Sequence, residues 1–315
     1  MLSMVARRIL FALLAVLATS LIVFSVTEVL PGDVAEIILG QGATAERVEI
    51  LREQLGLNAP ATERYLAWLG NLVTGDLGRS LATRADVLQT ISPRFWNTVV
   101  LAGYSAIVTI PLAILLGILC AAHPNGMLDR SFSAISIFLV SIPEFVVGLV
   151  LVLLFAITVK WFPSIVVRPS WGSPSMLLWQ LFLPMLTLLC SILAHTVRMT
   201  RAALLDALSM PYVEMALLKG LPRRKVILKH ALPNAIAPIA SVIALNLGYL
   251  ISGVALVEVV FAYPGLGRLM IDSIAYRDLP LIQATAMIFC LLFIFFNLLA
   301  DIAAVLLSPR RERTP

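Results

Sequence analysis

Charge is scarce in this 315-residue chain: Asp, Glu, Lys and Arg make up 13% of it, against 60% hydrophobic residues. With a mean hydropathy of +0.97, that scarcity excludes an ordinary soluble globular domain and leaves an integral membrane protein. Cysteine is scarce too. Cys120, Cys190 and Cys290 each sit in an apolar run with no CxxC spacing, which excludes a disulfide framework or thiolate metal site and reads as small packing residues. No Gly-x4-Gly-Lys-Ser/Thr loop is present, so the usual P-loop grip on ATP is excluded. His-Glu-x2-His and Gly-x-Ser-x-Gly are also missing, and His123, His195 and His230 are far apart. An enzyme is therefore not expected, nor catalytic or metal-ligating residues. The net charge of +5 is modest and its basic residues lie between hydrophobic blocks, which argues against nucleic acid as a partner and for membrane lipid. There is no clear internal repeat.

What the chain does have is six apolar blocks: Ile9 to Val29, Thr98 to Ala122, Phe132 to Val159, Leu181 to Val197, Ala235 to Phe261 and Ala284 to Leu307. Each can cross about 30 Å of hydrocarbon as a helix. The expected fold is all-α, a polytopic membrane protein with six transmembrane helices. The first block follows Arg7 and Arg8 but runs longer than a signal-peptide core and lacks a small-x-small cleavage site, so it reads as a retained span. The fourth is the weakest, because Pro184 interrupts it early. With the N-terminus inside, the inner segments hold thirteen Lys and Arg, and the short outer loops hold four (Lys160, Arg168, Arg268 and Arg277). The positive-inside rule then puts both termini in the cytoplasm.

The chain divides as 1–29 (N-terminal end and first span), 30–96 (extracytoplasmic loop region), 97–307 (transmembrane core, with a cytoplasmic loop at 198–234) and 308–315 (cytoplasmic tail). In the long outer loop, Thr44 is placed to cap a helix that ends at Gly56. Pro60 to Leu72 suggests a second helix with Tyr65, Trp68 and Leu69 on one face. Trp161, Trp171 and Trp179 frame an interfacial turn from Pro163 to Ser175. Polar residues inside spans are the default pointers to function. Glu144 follows Pro143 near the middle of the third span, where the proline should kink the helix, and is a candidate for lining a passage. Asn246 and Ser252, with Gly253, could face the same interior or serve as helix-packing glue. Glu258 and Asp301, nearer span ends, read as capping or interhelical pairing.

The most basic stretch is Tyr212 to Pro233, YVEMALLKGLPRRKVILKHALP, wedged between two apolar spans. Gly220 permits a tight turn between its halves, and Pro222 suits the start of the second. Its charge alone is explained by positive-inside anchoring. Its spacing says more: Glu214-Met215-Ala216, three residues, Gly220, nine residues, then His230-Ala231-Leu232-Pro233. This resembles the EAA loop of ABC importer permeases, the surface that docks on the ATPase. Met215 departs from the second-position Ala, and His230 stands at the Ile position, as in the peptide-importer branch. Other stretches resemble the first-subunit type of dipeptide and oligopeptide permease: Leu30-Pro31-Gly32-Asp33, Gly56-Leu57, Arg64-Tyr65 with Trp68-Leu69, Gly75-Asp76-Leu77-Gly78-Arg79-Ser80, Glu258-Val259-Val260-Phe261, Pro264-Gly265-Leu266-Gly267, Arg277-Asp278-Leu279-Pro280, and Asp301 with Ser308-Pro309-Arg310.

The resemblance implies a type I ABC importer permease fold in the bacterial cytoplasmic membrane, working with a second homologous permease, two cytoplasmic ATP-binding subunits and an extracytoplasmic solute-binding protein. ATP and Mg would be bound by the ATPase subunits, not by this chain. Tyr212, Glu214, Ala216, Gly220, His230, Leu232 and Pro233 would form the coupling loop. Glu144, Asn246 and Ser252 would lie on the path, and Asp76, Arg79, Pro264, Gly265, Arg277 and Asp278 would meet the binding protein. Peptides are the expected cargo; nickel chelates, glutathione, opines and some sugars are the alternatives of the same branch. An ion-coupled secondary transporter, with Glu144 as its coupling carboxylate, is the reading from another class. A structural or scaffold membrane subunit is a third reading, for which the organised cytoplasmic loop would be surplus. Gly220→Pro is expected to abolish uptake and ATPase association while membrane insertion stays intact; unimpaired uptake would remove the coupling role from this loop.

Overall fold

The structure, a computed structural model, describes residues 2–29, 39, 43–54, 58–167 and 169–307. The Leu30-Pro31-Gly32-Asp33 and Gly56-Leu57 stretches, Arg168, and Ser308-Pro309-Arg310 with the rest of the tail lie outside the described residues. Thirteen helices are described: α1 Leu2–Val29, α2 Ala45–Gln54, α3 Ala61–Thr74, α4 Val87–Ala122, α5 Met127–Ser141, α6 Glu144–Leu151, α7 Pro174–Gln180, α8 Phe182–Leu208, α9 Pro211–Leu218, α10 Arg223–Val226, α11 Leu232–Val260, α12 Leu266–Ala275 and α13 Leu279–Leu307. A π-helical stretch, Val152–Thr158, continues α6, and another, Ile227–Ala231, joins α10 to α11. Among the described residues, five helices are long and apolar enough to cross a membrane, or six if the bent α5–α6 pair counts as one span.

That pair corrects the expectation of one kinked third span, because α5 and α6 meet at 103°. Pro143 lacks an N–H, and its ring pushes the residue before it out of the helical region. Ile142 accordingly sits in extended geometry (φ −104°, ψ 128°), so the helix stops and restarts with Glu144 in its first turn. Pro184, by contrast, interrupts nothing. It lies in the first turn of α8, where a missing N–H costs no hydrogen bond, and the helix runs unbroken to Leu208.

Helix α8 is the axis of the bundle, packed by α4, α11, α5 and α6. Its closest neighbour is α4, where a Cβ on Gly117 would lie only 2.6 Å from the Thr200 Cβ. Helix α3 is anchored on α1. Tyr65 and Trp68 of α3 pack on Phe24 at 5.5 and 5.8 Å between ring centroids, and the Ser20 and Tyr65 hydroxyls are 2.9 Å apart. Helix α1 is fastened to α13 through the Arg8–Asp301 ion pair and a 2.8 Å bond from Gln283 Nε2 to Thr27 Oγ1.

At the end opposite α9, a fully buried carboxylate ties three helices together. Glu258 accepts from Thr98 Oγ1 of α4 at 2.6 Å and from the Gly267 N–H at 2.7 Å, so a side chain of α11 caps the start of α12. Thr98 accepts in turn from the Leu266 N–H, at 2.9 Å. Asn97 donates to the Pro264 carbonyl at 2.7 Å, and the buried Tyr263 hydroxyl donates to the Asn97 carbonyl at 3.1 Å. Burial, with the Glu258 charge beside it, pushes the Tyr263 phenol further up, so it remains a donor. Gly265 and Gly267 are required because a Cβ would overlap the Glu258 carboxylate at the first and Ala255 at the second. Glu258→Ala strands buried donors at a cost of roughly 1–3 kcal/mol each. A lower unfolding temperature of the detergent-purified chain is the expected result, and an unchanged temperature would count against this account.

Candidate functional site

The Tyr212–Pro233 stretch forms two short helices and leads directly into the longest span. Helix α9 follows α8 after a break at Ser209–Met210, and Met210 is extended (φ −77°, ψ 143°) ahead of Pro211. Gly220 then takes φ +78°, a left-handed conformation that a proline cannot adopt, and Pro222 is the N-cap of α10. No break separates α10 from α11. Pro233 has no N–H to offer the carbonyl four residues earlier, and Ile227–Ala231 relaxes into a π-turn that carries the chain past it.

One face of α9 holds the unit together. Val213 and Ala216 are buried against Val226, flanked by Leu208 and Leu221, so Ala216 is small because another helix lies on it. The rest of the helix is open and greasy: Tyr212 is 43% exposed, Met215 55%, Leu217 47% and Leu218 74%. Glu214 and Pro233 are also exposed, His230 and Leu232 are half-buried, and Arg223, Arg224, Lys225 and Lys229 surround them. Beside α9 a cavity of ≈ 390 Å³ opens between α8 and α11, lined among others by Met199, Ala202, Asp206, Tyr212, Asn234 and Pro238.

Above that cavity the seam between α8 and α11 is polar. Asn246 is buried; its Nδ2 donates to Thr196 Oγ1 at 2.8 Å, and its Oδ1 lies 3.1 Å from His195 Nδ1. With the Asn246 oxygen as acceptor, His195 Nδ1 carries the proton and Nε2 is left as the ring's acceptor. One turn further along, Glu144 accepts from Ser191 Oγ at 3.1 Å. Its carboxylate rests against Gly253, where a Cβ would lie 2.7 Å from Oε2. Glu144 and Asn246 are therefore brought to one seam through Ser191 and His195. Ser252 is not. Six residues from Asn246, it lies about 120° around α11 and is exposed on another face, while Gly253 shares the seam. On the other flank of α8, Arg201 grips Asp129 of α5 with bonds of 2.5 and 2.8 Å, and Asp129 also accepts from the Asn125 N–H at the α4–α5 turn.

The six residues expected to meet a binding protein separate into two groups. Asp76 and Arg79 are exposed, Asp76 closing a turn by accepting from the Gly78 N–H at 2.9 Å. Asp278 is buried: it accepts from Ser80 Oγ and from the Leu81 and Ala82 N–H groups at 3.1 and 3.4 Å, tying the 80–82 turn to the start of α13. Gly265 is buried on Glu258, Pro264 is half-buried with its carbonyl bonded to Asn97, and Arg277 is half-buried at φ +52°. Asp278 and Gly265 thus act as fasteners within the chain. Sequence reasoning missed Ser191, Thr196 and His195 as partners of Glu144 and Asn246. The signal was available in the four-residue spacing of Ser191 and His195 within an apolar run.

Comparison with known proteins fits this geometry. Residues 113–313 match the family described as binding-protein-dependent transport system inner membrane component, and residues 1–102 match that family's N-terminal membrane component. The chain is 36% identical over 310 residues to the glutathione transport system permease protein GsiC of Escherichia coli strain K12, covering 98% of each protein. It is similar to the same degree to the GsiC proteins of Escherichia coli O6:H1 and Shigella flexneri serotype 5b. A bundle of apolar spans matches this family over nearly its whole length: the chain belongs to the binding-protein-dependent transport system inner membrane components, the multi-pass permeases of ABC importers in the peptide/nickel family.

Proposed function

We propose that this permease pairs with a second permease to carry small peptides, glutathione among them, across the cytoplasmic membrane, and that α9 with α10 is the handle by which two ATPase subunits drive it. The observation that carries this reading is the exposed apolar surface of α9, set between two long helices. An amphipathic helix of this kind lies in a groove of a partner, with the surrounding Arg and Lys meeting acidic rims or lipid head groups. ATP and Mg stay with the ATPase subunits. Both termini and α9 lie on the cytoplasmic side, as the Lys and Arg balance requires, and a solute-binding protein approaches the opposite end near Asp76 and Arg79.

Closure of the ATPase pair would move α9, and the motion would pass into α8 and α11 as rigid displacement of packed helices. The α8–α11 seam, with Glu144 and Asn246 on it, is this chain's half of the path. The glutathione permeases among its relatives favour a peptide-like solute over a metal chelate or sugar. Leu218→Asp places a charge on that apolar surface without disturbing Val213 or Ala216. Uptake should fall at least about tenfold, equivalent to about 1.4 kcal/mol, and the ATPase subunits should no longer co-purify, while the chain still inserts in the membrane. Full uptake with the ATPase subunits retained would overturn the assignment.

A further inference from the structure

Among the described residues, the polar seam contains two ionisable groups, Glu144 and Arg198, that have no oppositely charged partner. At about 100° per residue, Ser191, His195, Arg198 and Ala202 fall within about 60° of one another on α8. Ser191 and Arg198 stand on the open part of that face, between the α5–α6 wall and the α11 wall. The walls are defined by bonds on either side: Arg201 to Asp129 of α5 on one flank, Thr196 and His195 to Asn246 of α11 on the other. Arg198 is exposed and, among the described residues, has no acidic partner. Glu144 is half-buried and bonded only to the neutral Ser191 hydroxyl, among the described residues. A charge that faces lipid is costly, and one that faces a solute path is functional.

Seven residues separate Ser191, where Glu144 is anchored, from Arg198, which is about 10 Å along α8. An extended peptide spans at most about 3.3–3.6 Å per residue, so three residues cover about the same distance. We propose that Glu144 and Arg198 form a charge-matched station for short zwitterionic peptides, the carboxylate taking the cargo ammonium and the guanidinium its carboxylate, so that their spacing selects a length of two to three residues. Gly253 has no side chain to displace the Glu144 carboxylate, which rests directly on α11, and His195 lies between Ser191 and Arg198 on the same face of α8. The inference rests on the permease reading above, and it adds the residues and the spacing that would read the cargo.

The test uses the assembled transporter, with its second permease, ATPase subunits and binding protein, in proteoliposomes, with radiolabelled glutathione and trialanine as probes. Glu144→Gln and Arg198→Gln should each lower delivery per ATP hydrolysed by about tenfold, the effect of one lost charge-assisted hydrogen bond. The double reversal Glu144→Arg with Arg198→Glu should recover most of it, because a zwitterion can lie in the groove the other way round; a purely structural role for either residue predicts additive loss instead. Wild-type delivery in either single variant, or no recovery in the double reversal, overturns the proposal. A loss confined to Arg198→Gln assigns that residue to lipid phosphate or a neighbouring subunit and overturns it too. If the unaltered transporter hydrolyses ATP in response to binding protein yet carries neither probe, the zwitterion station fails while the permease reading stands. If it neither assembles nor responds, the permease reading itself fails.

Discussion

A carboxylate without water around it must be answered by protein donors, and Glu258 is answered by α4 and by the first turn of α12 together. The rest of the bundle follows the same constraint. Hydrocarbon supplies no hydrogen bonds, so a polar group in a span bonds back to its own helix, as Ser105 and Thr187 do, fastens to another helix, or is a cost. Glu258 holds α4, α11 and α12; Asp129 and Arg201 hold α5 to α8; Asn246 holds α11 to α8; and Gln283 with Thr27 holds α13 to α1. Apolar contact alone could slide, because lipid is as greasy as a neighbouring helix. The polar pairs fix which turn of one helix meets which turn of the next.

The two ends of the molecule differ in consequence. The α12 end is knotted through Glu258, Thr98, Asn97, Tyr263 and Asp278, with glycines where a side chain would collide. At the other end α9 rests on a small apolar contact, Val213 and Ala216 on Val226, and turns on Gly220. One end is thus tied by many polar bonds and the other by a small apolar contact, and the bent α5–α6 pair brings Glu144 to Ser191 of α8.

Much of this was legible beforehand because it depends on local rules. Six apolar blocks became five long helices and one bent pair, and Gly220 was readable as a turn residue because only its backbone freedom matters there. Tyr65 and Trp68 were placed on one helix face by spacing alone, and that face does pack, on Phe24. The burial of Asp278 and Gly265 was not legible, for a physical reason. In one dimension, a buried carboxylate that gathers N–H groups looks like an exposed one, and a glycine needed for close approach looks like one in a loop. Ser252 was grouped with Asn246 by nearness in the chain, although their angular separation on a helix sets them on different faces.

The sequence by itself determined the apolar spans, the clustering of basic residues between Arg198 and Lys229, a bend at Pro143 and the turn at Gly220, because hydrophobicity, charge and proline and glycine geometry act within a few residues of chain. Only the tertiary structure decided that the break would open to 103°, that Glu144 would meet Ser191 and lie over Gly253, and that Glu258 would cap a helix to which it does not belong. Those outcomes depend on which turn of α8 faces which turn of α6 and α11. That register is set by polar groups finding partners far away in the chain, which no local pattern encodes.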